Sequence, residues 1–269
     1  MSHPFTIHGV RGSYPVAGAK YNRYGGSTSC FSLETPEGLL IVDAGTGIAA
    51  LGEALHQRAS LPPITILLTH VHLDHLIGIP SLKPLFRKDA QVTFMGDAAC
   101  SPTWRATLHT VIGRPLWPIN LSEFGAPIQF EDLPDGALTR YGVTVTRCPV
   151  WHPQGCLGYR FETPERTIVI GTDREYGHPQ LDAKFLAFCR GADVLLHDAQ
   201  FTLEEFPSRK GWGHSTAQES ARVAAAAQVG RLILVSHDPS HPDDQLDRIV
   251  EQAKQVFPNT VGGCEQMVL

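Results

Sequence analysis

The sequence predicts an α/β layered fold. Three features carry that prediction: apolar runs of strand length, polar or small residues closing each run, and helical segments between them. Residues 38–42 (Gly-Leu-Leu-Ile-Val) close on Asp43-Ala44-Gly45-Thr46-Gly47, and residues 64–68 close on Thr69-His70. Residues 167–170 run into Gly171-Thr172-Asp173, residues 193–196 into His197-Asp198, and residues 232–235 into Ser236-His237. Apolarity within these runs is continuous rather than alternating, so each is expected to be a central strand covered on both faces. Residues 216–229 read as an alanine-rich helix: Ser215-Thr216-Ala217-Gln218-Glu219 offers a capping box at its start, and Gly230 stops it.

The chain has 269 residues, 42% hydrophobic and 18% charged, which is ordinary globular composition and excludes a disordered, collagenous or coiled-coil chain. No Pro/Gly/Ser-rich linker divides it, so residues 1–269 are expected to form one domain whose halves meet near residue 125. The least regular region, residues 101–127, carries Trp104, Trp117 and Phe124 among prolines and glycines. It reads either as a packed surface loop or as a lid over a site. Lys plus Arg number 22 against 27 Asp plus Glu, a formal charge of -5, and no basic run offers to track a nucleic-acid backbone. The longest apolar stretches, residues 64–68 and 231–235, fall far short of the roughly 20 residues that span a bilayer. Met1-Ser2-His3-Pro4-Phe5 lacks a charged-then-apolar leader, so a soluble, cytoplasmic protein is expected. Cys30, Cys100, Cys148, Cys156, Cys189 and Cys264 contain no C-x-x-C pair and read as reduced, mostly buried thiols.

Histidine is the unusual residue, 13 in all, with a dense group in Thr69-His70-Val71-His72-Leu73-Asp74-His75. From this chain's composition, such an H-x-H-x-D-H match arises by chance on the order of 10⁻³ times, so surface histidines in a polar turn are the weaker explanation. His70 and His72, at alternate positions, can face one metal ion while Asp74 and His75 turn toward a second. Imidazole and carboxylate donors suit zinc first, with manganese or iron as alternatives. The strand ends supply the remaining ligands. His152, in Trp151-His152-Pro153-Gln154-Gly155, could complete the first site, Asp173 could bridge both ions, and His237 could complete the second.

These residues, in this order, resemble the metallo-β-lactamase superfamily over nearly the whole chain. The resemblance implies a four-layer αββα sandwich with a dinuclear metal site at the edge of its two sheets. Gly9-Val10-Arg11-Gly12-Ser13, Tyr24-Gly25-Gly26-Ser27-Thr28-Ser29-Cys30, Asp43-Ala44-Gly45-Thr46-Gly47 and Gly211-Trp212-Gly213-His214-Ser215-Thr216 are similar to the phosphodiesterase branch, which includes ribonuclease Z and the cyclic-phosphate phosphodiesterases. Within that branch His214, just before a helix start, and Asp198 are expected to form the pair that protonates a leaving oxygen, with a plain helix-start residue as the alternative reading of His214. The matching acid in ribonuclease Z is usually glutamate. Asp43 is expected to orient a ligand histidine, with a purely structural turn carboxylate as the alternative. Arg11 is either a substrate-phosphate contact or a solvated turn residue. His8, His56, His109, His178 and His241 receive no role.

The reaction implied is metal-dependent hydrolysis. Two cations bring the pKa of a shared water to about 7, Asp74 holds metal and orients the resulting hydroxide, and His214 with Asp198 protonates the departing alkoxide. The expected substrate is a small or cyclic phosphodiester, because the acidic balance disfavours a long RNA. The oligomeric state stays open, a homodimer included. One alternative is a lactone or thioester hydrolase, suggested by Tyr176, three residues beyond Asp173, a position resembling the tyrosine of the lactonase branch. Another is a noncatalytic metal or ligand sensor. Asp173 in place of a cysteine, and the short stretch after His237, argue against a β-lactamase and a glyoxalase II.

Overall fold

A computed structural model describes residues 3–269. Met1 and Ser2, where the segment read as carrying no leader begins, lie outside the described residues. The first half supplies β1 (Phe5–Gly9), β2 (Cys30–Glu34), β3 (Leu39–Val42), β4 (Ile64–Leu67), β5 (Val92–Gly96) and β6 (Ile128–Asp132). The second supplies β7 (Leu138–Arg140), β8 (Val143–Val150), β9 (Cys156–Glu162), β10 (Thr167–Gly171), β11 (Val194–Asp198), β12 (Arg231–Val235) and β13 (Thr260–Gly262). The short β14 (Met267–Val268) returns to pair with β1, giving two seven-stranded sheets among the described residues, in the orders β14-β1-β2-β3-β4-β5-β6 and β13-β12-β11-β10-β9-β8-β7. Each half of the sequence therefore builds one sheet, and the C-terminal strand ties the second half back to the first.

The continuous apolarity of the central strands now has a physical reason. Leu39 and Ile41 of β3 point into a core beneath the outer helices, while Leu40 and Val42 point into the core between the two sheets. Val169 likewise faces outward and Ile168 and Ile170 inward; Leu232 and Leu234 oppose Ile233 and Val235. Successive strand residues serve opposite faces, so a strand between two cores has no polar positions. Each fully buried aliphatic side chain contributes roughly 2 kcal/mol of transfer free energy.

The helical layers are α1 (Ile48–His56) and α2 (Trp104–Val111) on the first sheet, and α3 (Pro179–Cys189), α4 (Phe206–Arg209), α5 (Ala217–Ala227) and α6 (Asp243–Lys254) in the second half. Buried residues of α1 and α2 share a core with the first sheet, and those of α3, α5 and α6 share one with the second. The whole is the αββα sandwich. α5 starts as expected: Thr216 Oγ1 accepts the Glu219 N–H at 3.2 Å, and the helix ends on Gln228 in the left-handed region (φ 54°). No helix among the described residues is long and apolar enough to cross a membrane. Residues 101–127 pack down on the first sheet: Trp104 and Leu121 are buried, and α2 runs through the segment. It is a surface-packed segment, not a lid.

β3 to β6 are mutually parallel, as are β10 to β13. Register puts Val42 level with Leu67, Gly171 with His197 and Asp198 with Val235. The carboxyl ends of these strands are therefore flush, and the polar residues that follow them collect at one edge, as ligand sites in α/β sheets do.

Candidate metal centre

Four histidines at that edge are each tied at one ring nitrogen and free at the other. His75 Nδ1–H donates to Asp43 Oδ2 at 2.7 Å. His70 Nδ1–H donates to Thr69 Oγ1 at 3.0 Å, and Thr69 in turn donates Oγ1–H and N–H to the two Asp43 oxygens, both at 2.8 Å. His152 Nδ1–H donates to the Gly213 carbonyl at 2.8 Å, and His72 Nε2–H donates to Gln154 Oε1 at 2.9 Å. These partners fix the tautomers, so the opposite nitrogens carry bare lone pairs aimed inward.

The inward atoms have no satisfactory protein partner. His72 Nδ1 and His152 Nε2 face each other at 3.0 Å, an approach of two lone pairs that repels unless a cation joins them. Among the described residues, His70 Nε2, His75 Nε2 and Asp173 Oδ2 are buried with no hydrogen-bond partner. Donor atoms of His70, His72 and His152 lie within 4.8 Å of one another, as do those of His70, His75 and Asp173. Asp173 Oδ2 is 3.2 Å and Asp74 Oδ2 3.4 Å from His75 Nε2. Orphaned buried donors of this kind are rare unless an ion satisfies them. The donor set fits divalent cations: one group has three imidazoles, an adjoining one has the imidazoles of His70 and His75 with the Asp173 carboxylate, and His152, Asp173 and His214 form a third that overlaps both.

Burial lowers His152 to about 4 and holds His70 well below the ordinary imidazole value. Neutral rings are the form that binds metal. Burial acts the same way on His75, but Asp173, Asp74 and Asp43 outweigh it and hold the ring well above its ordinary value, so a cation taken up at Nε2 would displace a proton there.

His214 and Asp198 adjoin this cluster. His214 Nδ1–H donates to Asp198 Oδ2 at 2.7 Å and lies 3.7 Å from Asp173 Oδ1. Burial would lower His214, yet the charge and hydrogen bond of Asp198 raise it to about 9. Asp198 also accepts the N–H groups of Ser215 (2.7 Å), Asp173 (3.1 Å) and Gln200 (3.2 Å), so one buried carboxylate orients the ring and two neighbouring loops. His72, Asp74, His152, Asp173 and His214 share a cleft of about 400 Å³ with Ser13, Leu73, Gln200 and Trp212.

Three expectations need correction. His237 is not in the cluster: its Nε2 bonds the Gly263 carbonyl at 3.1 Å and its ring meets Tyr24 edge-on at 5.5 Å. The cause is backbone. Ser236 adopts a left-handed φ of 56°, and His237 is clamped by its N–H to Val10 O (2.8 Å) and its carbonyl to Gly12 N (3.1 Å), which turns the side chain away. His237 therefore adds no donor to the group formed by His70, His75 and Asp173. Arg11 is neither solvated nor in the cleft. It is fully buried, donating to the carbonyls of Gly25 (2.8 Å), Asp238 (3.1 Å) and His241 (2.8 Å), where it ties the N-terminal loop to the segment after β12. Tyr176 stacks on Phe206 at 4.8 Å and takes no part in lining the cleft.

Other contributors were not legible. Ser13, at φ 66°, donates its N–H to Asp74 Oδ2 at 2.8 Å. Thr69, Gln154 and Glu175 act through the ligand histidines or the His214 loop, and no spacing rule marks them.

The chain belongs to the β-lactamase superfamily: the family model described as "Beta-lactamase superfamily domain" matches residues 39–237. Membership supports a metal-dependent hydrolase, and the superfamily fold implies divalent metals, for which the His/Asp cluster is the candidate site. Among its relatives, ribonuclease Z of Bradyrhizobium sp. (strain ORS 278) is 26% identical over 271 residues, covering 82% of this chain and 86% of that protein. The metallo-beta-lactamase fold protein YhfI from Bacillus subtilis superposes with a TM-score of 0.75 at 21% identity, over all of both chains. A diphosphatase from the PhnP family superposes at 0.73 and 16% identity, over 100% of this chain and 97% of that one. The last two likenesses establish the fold. The resemblance to the phosphodiesterase branch read from the sequence is borne out by these relatives.

Proposed function

We propose that the protein is a phosphodiesterase acting on a small or cyclic phosphodiester, with His214 as proton donor to the leaving oxygen. The observation that carries this reading is the His214–Asp198 pair, at 2.7 Å, opening into the same cleft as the metal-donor cluster. Two relatives bear the names ribonuclease Z and diphosphatase, which supports phosphoester chemistry.

His70, His72, His152 and Asp173 would hold one divalent ion, and Asp74, His75 and Asp173 the other; zinc is the first candidate for the imidazole-rich pocket. When bound, such ions supply charge stabilisation at phosphoryl oxygens and a water that ionises near neutral pH. The chain's own residues do the rest. Asp74 is pinned by the Ser13 N–H, so its carboxylate is held where an attacking water can be oriented. Asp198 holds the proton on His214 Nδ1, and Nε2 makes no hydrogen bond to protein among the described residues, leaving it to serve the leaving group. General acid catalysis of this kind contributes typically 10² to 10⁴ in rate. A cleft of about 400 Å³ and a formal charge of -5 favour a small substrate over a long RNA. The carbon-ester alternative loses its support with Tyr176 outside the cleft.

Purified protein is expected to cleave bis(p-nitrophenyl) phosphate with added zinc or manganese and to lose the activity with EDTA. Metal-loaded protein inert toward that substrate and toward 2′,3′-cyclic nucleotides would overturn the proposal.

A further inference from the structure

The cleft that holds the donor cluster has an apolar wall that the reaction itself does not require. Trp212 is 61% exposed and Leu73 56% exposed, and both line the cleft. Exposed apolar side chains add little to folding, so two of them beside a buried ionic cluster point to a ligand that covers them.

The fold fixes the backbone that carries the indole. Trp212 sits between Gly211 (φ 91°) and Gly213 (φ 92°), conformations that other residues rarely adopt. Glu175, only 1% exposed, accepts the N–H of Gly211 at 2.8 Å and that of Gly213 at 2.9 Å, and the Trp212 N–H bonds Arg209 O at 3.1 Å. A buried carboxylate is thus committed to shaping one three-residue turn. The same turn fixes His152 through the Gly213 carbonyl and continues into His214. Phe201 meets the indole at 6.4 Å and 73°, an edge contact that leaves much of the ring uncovered.

We propose that Trp212 sets the substrate class of the cleft: its ring stacks on a planar group of the phosphodiester, an aryl or nucleobase, so that ring-bearing esters bind ahead of alkyl ones. This rests on the phosphodiesterase reading. The donor cluster takes the anionic phosphate, and the indole takes the ring beyond it. Stacking of a base on an aromatic side chain is typically worth 1–3 kcal/mol by alanine substitution, or about tenfold in affinity near its lower end.

The test is calorimetric titration of zinc-loaded protein with phenyl phosphate and methyl phosphate, which needs no turnover. Wild type is expected to bind phenyl phosphate more tightly. Trp212→Ala should weaken phenyl phosphate about tenfold and leave methyl phosphate unchanged, while Trp212→Phe should keep most of the preference. Equal affinities for the two ligands in wild type, or equal weakening of both in Trp212→Ala, overturns the stacking role alone. Failure of metal-loaded wild type to bind either phosphate overturns this inference, whereas inertness toward bis(p-nitrophenyl) phosphate and 2′,3′-cyclic nucleotides overturns the phosphodiesterase reading on which it rests.

Discussion

Single side chains at the strand edge differ in what their removal should do. His214→Ala is expected to lower kcat by about 10² to 10⁴ without changing metal content. Asp198→Asn should follow it, because the amide cannot hold the Nδ1 proton in the same way. Steady-state kinetics with elemental analysis checks both, and loss of metal in His214→Ala would reassign that ring as a ligand. His152→Ala is expected to lose one metal equivalent, whereas His237→Ala keeps the wild-type metal content, since its ring faces Gly263 rather than the cluster. A fall in bound metal in His237→Ala would restore the sequence-based assignment. The His70–His75 run was legible because four donors crowd into six positions. His237 was misread because a side chain's direction after a strand depends on one backbone rotation. That rotation, at Ser236, leaves no trace in composition or spacing.

Elements were legible wherever periodicity and capping agreed. Residues 216–229 carried both signals, and α5 spans Ala217–Ala227 with Thr216 as its cap. Thr216→Ala is therefore expected to cost about 1 kcal/mol, read as a lower urea midpoint at unchanged slope. A change below a few tenths would mean that the cap is replaced by other contacts. The turn before α5 is less tolerant. A side chain at position 213 would put Cβ 2.1 Å from His152 Nδ1, besides straining a positive φ. Residues 101–127 lacked a clean period, which left loop and lid both open. Packing of Trp104 and Leu121 into the outer core decided for a surface-packed segment with its own helix.

The molecule as a whole buries titratable groups that set its response to acid. Burial depresses His8 to about 4, and burial with Arg174 depresses His197 to about 3. Both lie below the unfolded value near 6.5, so the unfolded chain takes up protons first as pH falls. Their contribution is intact above pH 6.5 and is lost as pH drops toward those lowered values. From pH 7 to 5 each site should remove roughly 2 kcal/mol. His8→Gln in chelator is accordingly expected to show a pH 7-to-5 stability loss smaller than wild type by about that amount; equal losses would refute the assignment. By itself the sequence determined five central strands, β3, β4, β10, β11 and β12, the capped helix and the inventory of donors, because each depends on residue patterns within a few positions. Which donors converge was a tertiary decision. Asp43 reaches His75, Asp198 reaches His214, Arg11 ties distant carbonyls and His237 turns away. Each outcome depends on backbone angles and on pairings between strands far apart in the chain, which no local pattern encodes.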